Sequence, residues 1–316
     1  MKNFEIIQRT TPTGEIVALP VATLVGASKG PEMAIVAAVH GCEYCGIEAA
    51  IRLYQDLDPS KMSGTVRMVM CANLPAFRAR TMYRCPIDGG NVGRSYPGSP
   101  TGTYSELIVH TVWNEVVGDA EYILDLHGGD LIEILAPYIG YNTTGDKALD
   151  AKSKAFAEAF GAWNIEVRPL DRSLEKYAFS QTGPLTGRVG LLVESGSQGR
   201  RDESDVLFQH NGILNLMKHV GILEGTPTPC DRSVRMMDAF LGVTAGVEGI
   251  FYPAVKADDL VEKGQELGEI RDFTGTVLEK LVSPDQAVVL GVITPASTYE
   301  GSMLFGLGRV CGSFGD

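Results

Sequence analysis

In the stretch AIVAAVHGCEYCG, residues 34–46, an apolar run stops at His40, and a carboxylate, Glu43, and two thiols, Cys42 and Cys45, follow within five residues. Imidazole, carboxylate and thiolate are all transition-metal ligands. His40 and Glu43 form H-x-x-E on a turn, a spacing that lets one ring and one carboxylate converge on a single cation. Two more apolar runs end in the same manner: EYILDL delivers His127, and VGLLV delivers Glu194. With His127 as third ligand, a His2Glu set leaves the fourth position of one zinc ion open to water, as in hydrolytic rather than structural sites. Such an ion lowers the pKa of its water toward about 7 and polarises an amide carbonyl. Glu194 then has the role of a general base that takes the proton and returns it to the leaving amine.

The thiols offer other readings. Cys42 and Cys45 could join His40 in a sulfur-rich site, although no second cysteine pair lies nearby to close a structural zinc tetrahedron. A C-x-x-C redox pair is the weaker alternative, because the pair does not open the first helix after an early strand in a thioredoxin-like order. Between the two histidines, residues 78–103 are crowded with Gly, Pro and Arg. Arg78 and Arg80 read as solvated surface residues. The rigid turns around Arg84 and Arg94 suggest guanidinium forks held ready for a carboxylate or a developing oxyanion, and hence a negatively charged substrate.

The elements that must carry these residues follow from hydrophobic period. EMAIVAAV, TVRMVMCA, EYILDL and VGLLVE are short and nearly continuous in apolar residues, as strands are when both sheet faces are covered. Between them, GIEAAIRLYQDL, YSELIVHTVWNEVV, ALDAKSKAFAEAFGA and DVLFQHNGILNLMKHVGIL place apolar residues at three- and four-residue intervals, the helical period. The pattern predicts an α/β fold with a mainly parallel sheet flanked by helices. Ligands of such sheets bind beyond the carboxyl ends of the strands, where His40, His127 and Glu194 are expected. The Pro- and Gly-bearing segment 224–231 reads as a linker, and the short extended pieces after it predict a smaller all-β region. The expected division is a catalytic domain over residues 1–225 and a β-rich domain over 226–316.

A chain of 316 residues, 44% of them apolar, can bury a sizeable core. Its formal charge of −12 argues against a nucleic-acid or anionic-membrane partner. No apolar run approaches the roughly 18 residues that span a bilayer, and the first residues lack the apolar core of a secretory signal. The expected location is therefore cytoplasmic, where six cysteines without framework spacing fit reduced thiols. A small molecule is the expected partner, and a homo-oligomer stays open.

In order along the chain, HGCEYCG, PIDGGNVGRSYPG, DLHGG and VESGSQG resemble the motifs of the aspartoacylase and succinylglutamate desuccinylase family, relatives of the zinc carboxypeptidases. The resemblance covers most of residues 30–316. It implies a zinc carboxypeptidase-like catalytic fold, one zinc ion on His40, Glu43 and His127, and Glu194 as activator of water. It also implies that Arg84 assists the scissile carbonyl, that Arg94 grips the substrate carboxylate, and that Asn91 belongs to the substrate-binding loop. PIDGGN is similar to bacterial deacylases of N-acylated amino acids. The implied activity is removal of a short acyl group from an N-acyl amino acid, with a peptide-cleaving carboxypeptidase or a non-catalytic metal-binding relative as alternatives. Cobalt, iron or nickel could replace zinc on such ligands. Two positions depart from the family pattern: Gly93 stands where an Asn usually precedes the second arginine, and Tyr96 where Phe is usual. The segment AGVEGIFYPAVKADDLVEKGQELGEI is similar to the barrel-sandwich module of biotinyl and lipoyl carriers, but its hairpin tip, RDFTGT, lacks the carrier lysine. The module is therefore expected to cover one side of the pocket or to mediate oligomer contacts.

Overall fold

The computed structural model describes residues 1–313. Two N-terminal strands, β1 (Lys2–Thr10) and β2 (Ile16–Val25), form an antiparallel hairpin that the sequence reading left unassigned. The apolar runs then become β3 (Ser28–Ala37), β4 (Ser63–Val69) and β5 (Tyr122–His127). Between them lie α1 (Tyr44–Asp56), α2 (Leu74–Ala79) and α3 (Tyr104–Thr111), the last continuing into a wider helical turn over Val112–Val117. The chain continues through β6 (Glu133–Leu135), β7 (Tyr138–Thr143), α4 (Lys147–Phe160), β8 (Asn164–Pro169), α5 (Phe179–Leu185), β9 (Val189–Glu194) and α6 (Glu203–His219). The fold is the expected mixed α/β sheet flanked by helices.

Strands β4, β3, β5 and β9 run parallel in that spatial order, flanked on one side by antiparallel β2 and β1 and on the other by β7, which is antiparallel to β9. Helices cover both faces. On one, Leu53, Phe156, Phe160, Ile213 and Leu216 pack against Ile35, Leu124 and Leu191. On the other, Tyr96, Ile108, Val112 and Phe179 pack against Ala34, Val36 and Ile123. This double cover explains the unbroken apolar runs.

After residue 225 the chain is all strand: β10 (Arg235–Thr244), β11 (Gly249–Pro253), β12 (Leu260–Val261), β13 (Glu266–Arg271), β14 (Val277–Val282), β15 (Ala287–Ile293), β16 (Ser297–Thr298) and β17 (Met303–Ser313). The large sheet does not stop at the linker. Strand β10 pairs with β8 in parallel, and β17, β15 and β12 extend the same sheet to 13 strands, with β6 pairing β15. A second sheet, in the order β14, β13, β11, β16, closes over it around Phe251, Leu267, Ile270 and Phe305. No helix among the described residues is long and apolar enough to cross a membrane.

Candidate active site

At the end of β3 the backbone leaves the sheet through Ala38, whose φ of 53° is uncommon for a residue with a side chain. The turn is held from the N-cap of α2, where the backbone amide of Asn73 donates to Ala38 O at 2.9 Å and its Nδ2 donates to Val39 O at 3.2 Å. His40 follows, and Glu43 occupies the N-cap position of α1. The Glu43 side chain does not cap that helix. It turns instead to the two imidazoles: Oε1 lies 2.7 Å from His40 Nδ1, and Oε2 lies 3.0 Å from His127 Nδ1. The Gly128 amide also donates to Oε2, at 3.3 Å.

His127 ends β5 directly opposite Glu194, the last residue of β9. The two strand ends approach closely because the next residue is glycine; a Cβ on Gly128 would lie 2.3 Å from Ser195 O. Gln209 of α6, fully buried, ties the ends together by donating to His127 O at 2.8 Å and Ser195 O at 3.1 Å.

The nitrogens of His40, His127 and a carboxylate oxygen of Glu43 lie within 4.8 Å of one another. Each ring's other nitrogen is engaged. His40 Nε2 faces Asn91 Oδ1 at 3.0 Å, and His127 Nε2 lies 3.1 Å from Asp125 Oδ1. With the Asn91 and Asp125 oxygens beside the two Nε2 atoms, both Nδ1 atoms face the carboxylate, which is how an outer shell orients metal-binding imidazoles. The donor set fits a divalent cation such as zinc. Its electrostatics agree: burial disfavours charge on Glu43, yet His40 and His127 bring its carboxyl down to about 2. Burial likewise opposes protonation of His127, but Asp125 and Glu43 prevail and raise it well above its usual value. So much negative charge around two rings also favours a metal.

The Glu194 carboxylate makes no hydrogen bond with the described residues and lines a cavity of about 940 Å³ together with His40, Glu43 and His127. Burial, with repulsion from Glu43, Glu133 and Asp125, raises its carboxyl well above the usual range despite the opposing pull of His127. Arg84 and Arg94 reach the same cavity, and Arg84 Nη1 donates to Gly89 O at 2.9 Å. Arg78 and Arg80 are exposed on and just beyond α2. Asn91 also lines the cavity, but its carbonyl oxygen is directed at His40 rather than left free for a ligand.

Both thiols lie outside the cluster. Cys42 Sγ contacts Thr81 O at 3.6 Å and Cys45 Sγ contacts Arg200 O at 3.4 Å, each buried. Gly93 packs against the site: a Cβ there would lie 3.1 Å from His40 Nε2. Tyr96 is fully buried against Phe179, and its hydroxyl has no partner among the described residues.

Other residues in or behind the cavity were missed from sequence. Asp125 could have been found, since D-x-H on a strand puts both side chains on one face. Arg168 is a third guanidinium in the cavity, held by Glu166 Oε2 at 2.8 Å, and the same alternation along β8 places the pair together. Tyr83 carries no pattern; its ring stands edge-on to His40 with centroids 5.8 Å apart. The C-terminal strands form the remaining wall through Phe240, Leu290, Val292, Tyr299 and Leu304.

The family profile described as Succinylglutamate desuccinylase/Aspartoacylase catalytic domain matches residues 29–220. N-alpha-acetyl-L-2,4-diaminobutyric acid deacetylase of Halomonas elongata is 29% identical over 305 residues, covering 95% of this chain and 88% of that protein. A succinylglutamate desuccinylase/aspartoacylase structure from Rhodobacter sphaeroides superposes with a TM-score of 0.88 at 27% identity, covering 98% of this chain and 96% of the other. The product-bound ectoine utilization protein EutE (DoeB) of Ruegeria pomeroyi shares the fold, with a TM-score of 0.85 at 24% identity over 98% and 95% of the two chains. With all four sequence motifs gathered at one cavity and most of the chain aligned, the protein belongs to the succinylglutamate desuccinylase/aspartoacylase family.

Proposed function

We propose that this chain is a zinc-dependent deacylase that removes a short acyl group from an N-acyl amino acid. Hydrolysis of an amide bond is the activity of its family; the metal, the substrate class and the residue roles are the finer reading. One observation carries it: a His2Glu donor set and an unbonded carboxylate, Glu194, share a cavity with Arg84 and Arg94. The deacetylase relative supports an acetyl group as the acyl part.

His40, Glu43 and His127 hold the ion, with Asn91 and Asp125 fixing the rings. When bound, zinc polarises the scissile carbonyl and makes water acidic enough to attack near neutral pH. Glu194 accepts the proton of the attacking water and delivers it to the leaving nitrogen. Its raised pKa suits both halves of that task, because a base that must later act as an acid works best near the operating pH. Arg84 supports the carbonyl oxygen as negative charge develops there, and Arg94 binds the α-carboxylate through its guanidinium fork.

The test is a hydrolysis assay on N-acetyl amino acids and on dipeptides, before and after chelation and with zinc restored. Release of acetate that chelation abolishes and zinc recovers is the expected result. Turnover confined to dipeptides would replace the deacylase reading with a carboxypeptidase, and turnover indifferent to chelation would remove the metal from the reaction.

A further inference from the structure

The large sheet ends on β1, whose outer side pairs with no strand among the described residues. A row of unpaired main-chain groups is a template for another strand, and proteins blunt such edges by keeping them short, bulged or covered. The other sheet edges here are blunted: β12 and β16 are two residues long, and β14 pairs with β13 across two register shifts. Strand β1 is nine residues long, contains no proline and pairs with β2 without a register shift. Phe4 and Ile6 stand exposed on it.

The hydrogen bonds of the hairpin fix what faces outward. Met1 and Val25 exchange two main-chain bonds, of 2.7 and 2.9 Å. Mutually bonded positions alternate along an antiparallel pair. Asn3, Glu5, Ile7 and Arg9 therefore direct their amides and carbonyls to β2, while Lys2, Phe4, Ile6, Gln8 and Thr10 direct theirs to the outer edge. Side chains alternate as well: Ile7 packs on the α3 side of the sheet, where Arg9 pairs with Glu115, whereas Lys2 and Phe4 lie against Tyr54 of α1.

We propose that β1 pairs antiparallel with β1 of a second copy of this chain about a two-fold axis at Ile7, joining the two large sheets into one. Opposed residues of an antiparallel pair share a face, so a symmetric pair must centre on a residue. Centring on Glu5 opposes two glutamates, and centring on Ile6 or Gln8 sets Glu5 or Arg9 against Ile7. Only the register at Ile7 matches the charges: Ile7 meets the partner's Ile7, and on either side of it Glu5 of one copy meets Arg9 of the other. These are the positions without mutual hydrogen bonds, where opposed side chains come closest. Glu5 is exposed and takes only a 3.5 Å contact from Asn3 Nδ2, while Arg9 Nη1 donates to Gln8 O at 2.6 Å, a bond it would exchange for the partner's Glu5. On the other face Phe4 lies beside the partner's Thr10 and Ile6 beside the partner's Gln8, and the outward main-chain groups of all four residues are satisfied. The contact is isologous and closed, so it stops at a dimer. The same symmetry applied to the middle of β14 would oppose Glu279 to itself or Lys280 to itself.

The experiment is sedimentation velocity of the full chain across a concentration series, on wild type, Glu5→Arg, Arg9→Glu and an equimolar mixture of the two variants. The wild type is expected to form a reversible dimer. Each variant alone sets like charges opposite each other and should raise the dimer dissociation constant by at least about tenfold, because both cross-strand ion pairs turn repulsive. In the mixture every arginine again meets a glutamate, so dimers holding one copy of each variant should reappear, a recovery that a folding defect in either variant would prevent. A wild type that stays monomeric, a dimer that both variants retain undiminished, or a mixture no more associated than its components overturns the inference.

Discussion

His127 and Glu194 are register partners at the carboxyl ends of the adjacent parallel strands β5 and β9. A proposed metal ligand and a proposed base therefore sit one strand apart, on two largely buried strands of the sheet, with Gln209 clamping both ends. Their separation is a property of the sheet rather than of a loop, which is what a base working beside a metal needs.

Glu194→Gln keeps the shape of the side chain and removes its ability to take a proton. The variant should retain one equivalent of zinc and lose at least about a hundredfold in kcat, the usual scale of a general base. Metal analysis and steady-state kinetics on the same preparation check both halves. Undiminished kcat would take Glu194 out of the mechanism.

Asp125 is fully buried, lies two residues before His127 on the same strand face, and accepts from the Ser180 amide at 3.2 Å. Asp125→Asn should leave that bond in place but weaken the hold on His127 Nε2. Zinc affinity measured by competition with a chromophoric chelator is expected to drop by about 10- to 100-fold. Unchanged affinity would mean that Asp125 does not orient the ring.

Gly93 leaves a side chain only a tight fit, since a Cβ would sit 3.1 Å from His40 Nε2 and 3.2 Å from Val39 Cγ2. Gly93→Ala should push the ring off its bond to Asn91 and lower kcat/KM by about ten- to a hundredfold, with the circular dichroism spectrum preserved, because small misplacements at a reacting centre are expensive. Wild-type kinetics would show that the loop yields instead of the ring.

The thiols supply an independent check on the ligand set. Burial, reinforced by Asp205 and Asp202, pushes the Cys45 thiol up to about 12, and burial also raises Cys42. Thiolate is the reactive form, so a raised pKa means little of it at pH 8. Mass spectrometry after brief alkylation of the native protein should find label on exposed Cys311 and half-buried Cys230, with Cys42 and Cys45 reacting only after denaturation. Equally fast labelling of Cys42 or Cys45 would reopen a sulfur-containing site.

Much of this fold was legible because β3, β5 and β9 are covered on both faces and so carry uninterrupted apolar runs, each ending in a residue that could do chemistry. The hairpin of β1 and β2 was not legible. Both faces of β1 are largely solvated, and even Phe4 and Ile6 stay exposed at the sheet edge. The continuation of the large sheet through β8 and β10 was equally hidden, because a parallel pair between Asn164 and Arg235 depends on tertiary placement that no local period encodes. In the site, His40, Glu43, His127 and Glu194 were marked by type and position. Asn91, expected in the substrate-binding loop, lines the cavity, and that its oxygen also meets His40 is a detail only coordinates show. Glu133 and Tyr83 gave no motif at all; their pairing arises where the loop after α2 crosses the start of β6.

The most direct test of the account is a crystal structure of the zinc-loaded protein with anomalous data collected on both sides of the zinc edge. The expected result is one anomalous peak about 2.0–2.1 Å from His40 Nδ1 and His127 Nδ1 and at carboxylate-bonding distance from Glu43. A peak on Cys42 and Cys45, or none between the two imidazoles, would contradict it.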